Sequence, residues 1–254
     1  MLNKICEIVR EAGEIYRRSR EQFTVEEKGS VFNLVTDIDK KIQEFLVSRF
    51  SALVPGAHFL DEEGEDNKTL TDGVCFIIDP IDGTTNFIKG FQHSAVCVGV
   101  AVERALRYGV VYDPDLDNLY YAETGKGAFL NGRPIHVSDC DLAHSLVLFG
   151  TCPYDHELSH KSFLTAEKVF YQSLEVRRAG SAALDICYVA AGKADLYFEM
   201  ILRPWDWAGA NVILREAGGF SATMENTPLN LNRLSSYLCG NADNVKEFYE
   251  LYEF

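Results

Sequence analysis

Asp79 and Asp82 stand three positions apart in CFIIDPIDGTTNF, residues 75–87, at the end of an apolar run. Pro80 lies between them; it removes one backbone donor and resists continuation of a strand ladder. One short turn then presents two carboxylates and the Ile81 carbonyl, an all-oxygen set that suits a hard cation such as Mg2+ at about 2.1 Å per ligand. Gly83 permits a sharp turn, and Thr84 and Thr85 open a helix whose free N–H groups attract an anion. Read alone, Asp-Gly-Thr is equally an ordinary capped turn. Two distant stretches add to the chemistry. LDEEGED (60–66) follows an apolar strand pattern with five acids in six positions, so that Glu62 or Glu63 can close a coordination sphere, and RPWDWAG (203–209) sets Asp206 between two tryptophans at a helix start. An N-capping role is the plain alternative for Asp206.

Other patterns compete. HELSH (156–160) satisfies the HExxH spacing of zinc metalloproteases, with His156 and His160 on one helix face and Glu157 as base. Its third ligand is wanting: Glu175 lies 15 positions on, no histidine follows His160, and the stretch begins a polar helix, so a chance surface pair is the preferred reading. GKG (125–127) lacks Walker spacing and reads as a hairpin turn, while Ser181 lacks a GxSxG elbow and a histidine partner.

The elements that must position these residues fall into two groups. Leu2, Ile5, Ile8, Val9, Ala12, Ile15 and Tyr16 recur at helical spacing, as do Ile38, Ile42, Phe45, Leu46 and Phe50 behind Thr36 or Asp37 as N-cap. From HFLDEE to AFLNGRPIHV the chain is strand-like and antiparallel-rich, with Asn131-Gly132 as a hairpin turn. Beyond residue 142, strands (SLVLFGT, LEVRRAG, ADLYFEM) alternate with helices (ELSHKSFLTAEKVFYQSL, AALDICYVAAG, WDWAGANVILREAGG). The expectation is an α+β half at 1–142, carrying the acidic motif, and an α/β half at 143–254, packed as one layered unit.

The 254 residues, 47% hydrophobic and 24% charged, describe an ordinary globular chain. A net charge of −14 disfavours nucleic acid and anionic membrane. No run is apolar and long enough for a membrane span, and the charged amphipathic start is not a signal peptide, so the cytoplasm is the expected address. Seven scattered cysteines without a CxxC pair read as reduced thiols.

Taken together, LVTDID, DEEG, DPIDGTTNF, GVVYDP, GKGAFLNG, GSAALD and RPWDWAGA resemble the inositol monophosphatase family of Mg2+-dependent, lithium-sensitive sugar-phosphate phosphatases. The motifs keep their order from about residue 28 to the AGG at 217–219. The resemblance implies a layered αβαβα sandwich, a homodimer and a small phosphate ester as substrate, foremost myo-inositol monophosphate. Fructose-1,6-bisphosphatase, 3'-phosphoadenosine 5'-phosphate phosphatase and histidinol-phosphate phosphatase activities share the fold, and a silent scaffold is the non-enzyme alternative. Thr85 stands where adenosine bisphosphate enzymes carry DGTK, and Arg177 and Arg178 leave room for a second phosphate.

Carried over position by position, the resemblance implies that Glu62, Asp79 and the Ile81 carbonyl hold one Mg2+. Asp79, Asp82 and Asp206 hold a second, and Glu62 supports a third through water, with Glu63 and Lys28 in the outer shell. Asp39 hydrogen-bonds Thr84, and Thr84 with Glu62 orients the attacking water. Gly83 and Thr84 meet the phosphate; Gly180, Ser181, Ala182 and Glu199 face the alcohol, joined by Asp82 and Asp206. Gln92 replaces a common proline, and Phe32-Asn33 a common Pro-x-Asp; neither is a metal ligand in the family pattern, and both border the site's rim.

Overall fold

The computed structural model describes residues 1–30, 33–64 and 69–252, and the side chains of 28–30 and 33 lie outside that description. Helices α1 (Leu2–Arg18) and α2 (Asp37–Leu53) flank a hairpin of β1 (Val25–Ser30) and β2 (Asn33–Thr36). Thr36 caps α2: its Oγ1 accepts the amides of Ile38 and Asp39, while the Asp39 carboxylate reaches back to the Thr36 amide.

A seven-stranded sheet follows, in the order β3 (His58–Asp61), β4 (Val74–Asp82), β5 (Ala95–Val102), β6 (Ala105–Asp113), β7 (Asn118–Glu123), β8 (Ala128–Leu130), β9 (Arg133–Ile135). Only β3–β4 is parallel. Helix α3 (Thr84–Lys89) leaves the end of β4. The second sheet runs in the order β11 (Glu175–Arg177), β10 (Leu146–Phe149), β12 (Leu196–Leu202), β14 (Ser235–Gly240), β13 (Phe220–Ala222). Helices α4 (His156–Phe170), α5 (Ala182–Ala190), α6 (Pro204–Glu216) and α7 (Ala242–Leu251) complete the chain.

Strand alternation assigns the layers. Phe76, Ile78, Val96 and Val98 pack on α1 and α2, whereas Cys75, Ile77, Cys97 and Val111 face α5 and α6. Leu148 and Tyr197 of the second sheet cover the other side of α5 and α6, and Val147, Phe149, Leu196 and Phe198 turn outward to Ala166 and Val169 of α4 and Val245 and Phe248 of α7. The result is the expected αβαβα sandwich.

Helix α6 lies unusually close to the first sheet because glycines meet there. A Cβ on Gly109 would stand 2.1 Å from the Gly209 carbonyl oxygen, and one on Gly209 would stand 2.7 Å from the Val98 oxygen. This approach carries the start of α6 to the end of β4.

One expectation about β4 needs correction. The strand does not stop at Asp79; it runs to Asp82 through a bulge, with Asp79 opposite Cys97 and Asp82 opposite Ala95. Two residues of β4, Pro80 and Ile81, therefore oppose Val96 alone, which places the donor-less proline where the ladder does not need it. The GKG segment turns between β7 and β8, as expected, and all seven cysteines are free thiols.

Candidate active site

The turn after β4 opens into a cavity of about 540 Å³ whose lining includes Glu62, Asp79, Ile81, Asp82, Glu199 and Asp206. Gly83, Thr84, Gly180, Ser181 and Ala182 line it too. Each acid arrives on its own support. Glu62 follows β3, and its amide donates to the Ile78 oxygen at 3.1 Å, which sets it beside the end of β4. Asp82 is held from the first turn of α5: Ala183 N donates to its carboxylate at 2.7 Å, Ala182 N at 3.3 Å, and Ser181 Oγ also donates. Asp206, in the first turn of α6, accepts the Arg203 amide at 2.7 Å. Asp206 is therefore not the N-cap, which is Arg203; it stands at the third helical position and reaches back to the cap amide, which does not exclude it from the cavity.

Acids gathered this way resist ionisation. Burial, and then the charges of Glu62, Asp82 and Asp206, push the Asp79 carboxyl well above the usual range, and Glu62 is hydrogen-bonded to it. Burial also drives Asp206 up strongly, helped by Glu62, and raises Asp82 to about 6 against the pull of Ser181 and Ala183. Glu199, half-buried at the cavity wall with Tyr197 donating to it, is pushed up to about 8, chiefly by desolvation. A Cβ on Gly150 would fall 1.9 Å from its carboxylate, so the absence of a side chain there makes room for the acid.

A cation fits this donor set. Asp79 Oδ1 is buried without a hydrogen-bond partner, and an all-oxygen, acid-rich cavity is the environment a hard divalent ion relieves. Among the described residues the side chains are not drawn into a compact three-ligand cluster; Asp82 has both oxygens engaged by Ser181 and the α5 amides.

Thr84 Oγ1 lies 3.3 Å from Asp39 Oδ1 and 3.1 Å from the Ile81 oxygen, so its proton is directed toward these acceptors and its lone pairs remain for a donor in the cavity. Gly83 sits in the left-handed region at φ 89°, which turns the chain into α3, and no acceptor of the described chain takes the Thr84 or Thr85 amide. Of the remaining expected residues, Glu63 flanks Glu62, with its amide held by Gln43 at 2.9 Å, and does not line the cavity. The Lys28 side chain and Phe32 lie outside the described residues. Gln92 adopts φ 51°, a value closed to proline, so this loop takes a course that the common proline would forbid.

Sequence reasoning assigned no role to Asp185, His93 or Asn86, and named Arg178 only together with Arg177. Asp185 and Arg178 line the cavity, and buried His93 bonds Asp185 through Nε2 at 3.0 Å. Burial lowers the His93 pKa, but the bond to Asp185 and the charges of Asp185 and Asp82 outweigh it and raise the net value. Asn86 Nδ2 donates to the oxygens of His93, Ala179 and Gly180, tying the loop before α5 to α3. The HELSH residues sit at the exposed start of α4 and do not line the cavity.

Comparison with known proteins places the fold and the family. Residues 1–252 match the Inositol monophosphatase family. Inositol monophosphatase 1 of Sus scrofa is 35% identical over 238 residues, covering 88% of this chain and 83% of that protein. The Nus factor SuhB of Vibrio cholerae is 38% identical over 222 residues, 86% of this chain and 83% of that protein. The crystal structure of the suppressor protein SuhB from Bartonella henselae superposes with a TM-score of 0.90 at 30% identity, covering 98% of this chain and 96% of that one. A match over nearly the whole length, on a fold whose acidic cavity stands where the family motifs converge, identifies the chain as a member of the inositol monophosphatase family, a hydrolase of phosphate monoesters.

Proposed function

We propose that the protein is a Mg2+-dependent phosphomonoesterase for small polyol or sugar phosphates, with myo-inositol monophosphate as the reference substrate. The observation that carries this is Asp79: a buried carboxylate with an unpartnered oxygen, raised in pKa by the surrounding acids Glu62, Asp82 and Asp206. In this reading Glu62, Asp79 and the Ile81 carbonyl hold one ion, Asp79, Asp82 and Asp206 a second, and Glu62 supports a third through water. Glu63 and Lys28 stand further out. Bound Mg2+ supplies Lewis acidity toward water and the phosphoryl oxygens.

The chain's own residues do the rest. Asp39 fixes the Thr84 hydroxyl, which accepts a hydrogen bond from the attacking water and orients its lone pair at phosphorus, with Glu62 receiving the proton that leaves. Gly83 and Thr84 amides hold phosphate oxygens as charge builds on them. Gly180, Ser181, Ala182 and Glu199 bind the alcohol, with Asp82 and Asp206 beside it. As the new P–O bond forms, the ester P–O bond breaks and the alkoxide takes up a proton.

The same reading carries inhibition by Li+, a cytoplasmic homodimer, and structural halves at 1–142 and 143–254. It assigns small molecules and no nucleic acid as partners; the Nus designation belongs to the Vibrio relative. Phosphate release from inositol 1-phosphate, fructose 1,6-bisphosphate, 3'-phosphoadenosine 5'-phosphate and histidinol phosphate, with and without Mg2+ and Li+, tests it. Release that ignores both ions removes the proposal.

A further inference from the structure

The cavity that asks for metal cations also contains a cation of the chain. Arg178 is the one basic side chain among its described lining residues, facing the acids Glu62, Asp79, Asp82, Asp185, Glu199 and Asp206. Despite that company it is not in an ion pair with any described carboxylate. Its Nε donates to Thr151 Oγ1 at 3.3 Å, a long bond to a neutral acceptor that leaves four of its five N–H groups for another partner. The neighbouring Arg177, exposed like Arg178, differs in its partners: its Nη1 lies 3.1 Å from Glu175 Oε1, and it donates to the Val176 oxygen at 2.8 Å.

The position of the guanidinium is set by backbone. A Cβ on Gly180 would lie 2.5 Å from Arg178 Nη1, so the group rests on the bare Gly180 segment beside Thr151. Its charge bears on Glu199 and Asp185 and is absent from the leading influences on Asp79, Asp82 and Asp206. The guanidinium thus bears on Glu199 and Asp185 and lies against the Gly180 segment, which the phosphatase reading assigns to the alcohol. A planar, permanently charged fork with spare donors recognises a phosphate or carboxylate through two parallel hydrogen bonds.

We infer that Arg178, with Thr151, forms a second anion subsite, so that the preferred substrates are phosphate monoesters whose alcohol portion carries another phosphate or a carboxylate. This rests on the phosphatase reading and narrows its substrate class, placing anion-bearing alcohols ahead of inositol monophosphate. A competing role for the same side chain is charge stabilisation of the transferred phosphate itself.

Matched substrate pairs separate these roles. The pairs are fructose 1,6-bisphosphate against fructose 1-phosphate, and 2-phosphoglycerate against glycerol 2-phosphate. For each, kcat/KM is measured in Mg2+ for the wild type, Arg178→Gln, Arg178→Lys and Arg177→Gln. The wild type favours the anion-bearing member of at least one pair by about tenfold or more, as a charge-assisted hydrogen bond implies. The pair with the larger ratio shows whether phosphate or carboxylate is the ligand. Arg178→Gln brings that ratio close to one, Arg178→Lys keeps part of it, and Arg177→Gln retains the wild-type ratio. A wild-type ratio near one in both pairs overturns the inference, as does an equal fall for both members in Arg178→Gln, which assigns the residue to the transferred phosphate. If the wild type releases phosphate from none of the four esters or from inositol 1-phosphate, the phosphatase reading falls and the subsite falls with it.

Discussion

Two glycine-containing turns of this protein share a design and differ in what occupies them. At 125–127 the amides of Gly125, Lys126 and Gly127 donate to the Glu216 carboxylate at 2.8, 3.0 and 2.8 Å. Gly125 and Gly127 both have positive φ, and the successive amides form a concave anion nest that the chain fills itself. At 83–85 the Gly83-Thr84-Thr85 turn also presents amides, but toward a cavity. Helix α6 serves both: its last residue, Glu216, closes the first nest, and Asp206 in its first turn borders the second. The difference shows that glycine-rich turn chemistry alone does not mark a binding site. An internal carboxylate satisfies one turn and makes it a structural clasp; at the other, the carboxylates line the cavity beside the amides.

The strongest way to break this contrast is at the acids. Asp79→Asn is expected to lower phosphate release by about 10³-fold or more, because it removes one charge from the centre of the proposed metal set, while far-UV circular dichroism stays native. Unchanged turnover would show that the open turn is as structural as the filled one. Thr84→Val keeps the shape but removes the hydroxyl held by Asp39, and kcat is expected to fall about 10²-fold. If only KM changes, Thr84 does not act on water.

The filled turn answers to a different measurement. Glu216→Ala is expected to cost about 1–2 kcal/mol, read as a drop of a few degrees in Tm, with kcat/KM within about threefold of wild type. A large loss of turnover at unchanged Tm would erase the distinction between the turns.

Glu199 supplies a subtler test through pH. Its carboxyl is held near 8 by burial, against about 4.5 when exposed, so the unfolded chain releases this proton first as pH rises. The fold binds more protons than the unfolded chain between those values; the Glu199 contribution to stability is full below about 4.5 and declines as pH rises through about 8. In EDTA, Tm of the wild type should decline over this window more steeply than that of Glu199→Gln; parallel curves would contradict the assignment. The smallest effect belongs to His156→Ala, which should leave phosphate release unchanged, since HELSH lies at the exposed start of α4.

Legibility in the sequence followed the range of the interactions. The Thr36 cap, the Asn131-Gly132 turn and the α6 helix were readable because their determinants lie within a few residues. Strand β4 was readable except at its end, where pairing with β5 carries the ladder past Pro80 through a bulge that local proline chemistry argues against. The β1–β2 hairpin, β14 and α7 went unread: the hairpin is polar, and β14 gains its strand character from pairing with β12 and β13 around a short apolar stretch, Tyr237–Cys239. In the cavity, Glu62, Asp79, Asp82 and Asp206 announced themselves by type and spacing, and Glu199 only through the family resemblance. Asp185, His93 and Thr151 did not, because their place is set by contacts nearly a hundred residues distant or by loops between strands. Arg178 was visible as a basic residue, but only the fold separates it from Arg177.

The central claim, that the acids around Asp79 form a Mg2+ centre for phosphate ester hydrolysis, is tested most directly by titrating Mg2+ into EDTA-stripped protein and following phosphate release from inositol 1-phosphate and fructose 1,6-bisphosphate. The account predicts no release without the ion and a saturable rise with it that Asp79→Asn lacks. Release that persists in EDTA, or a rise that Asp79→Asn reproduces in full, would contradict it.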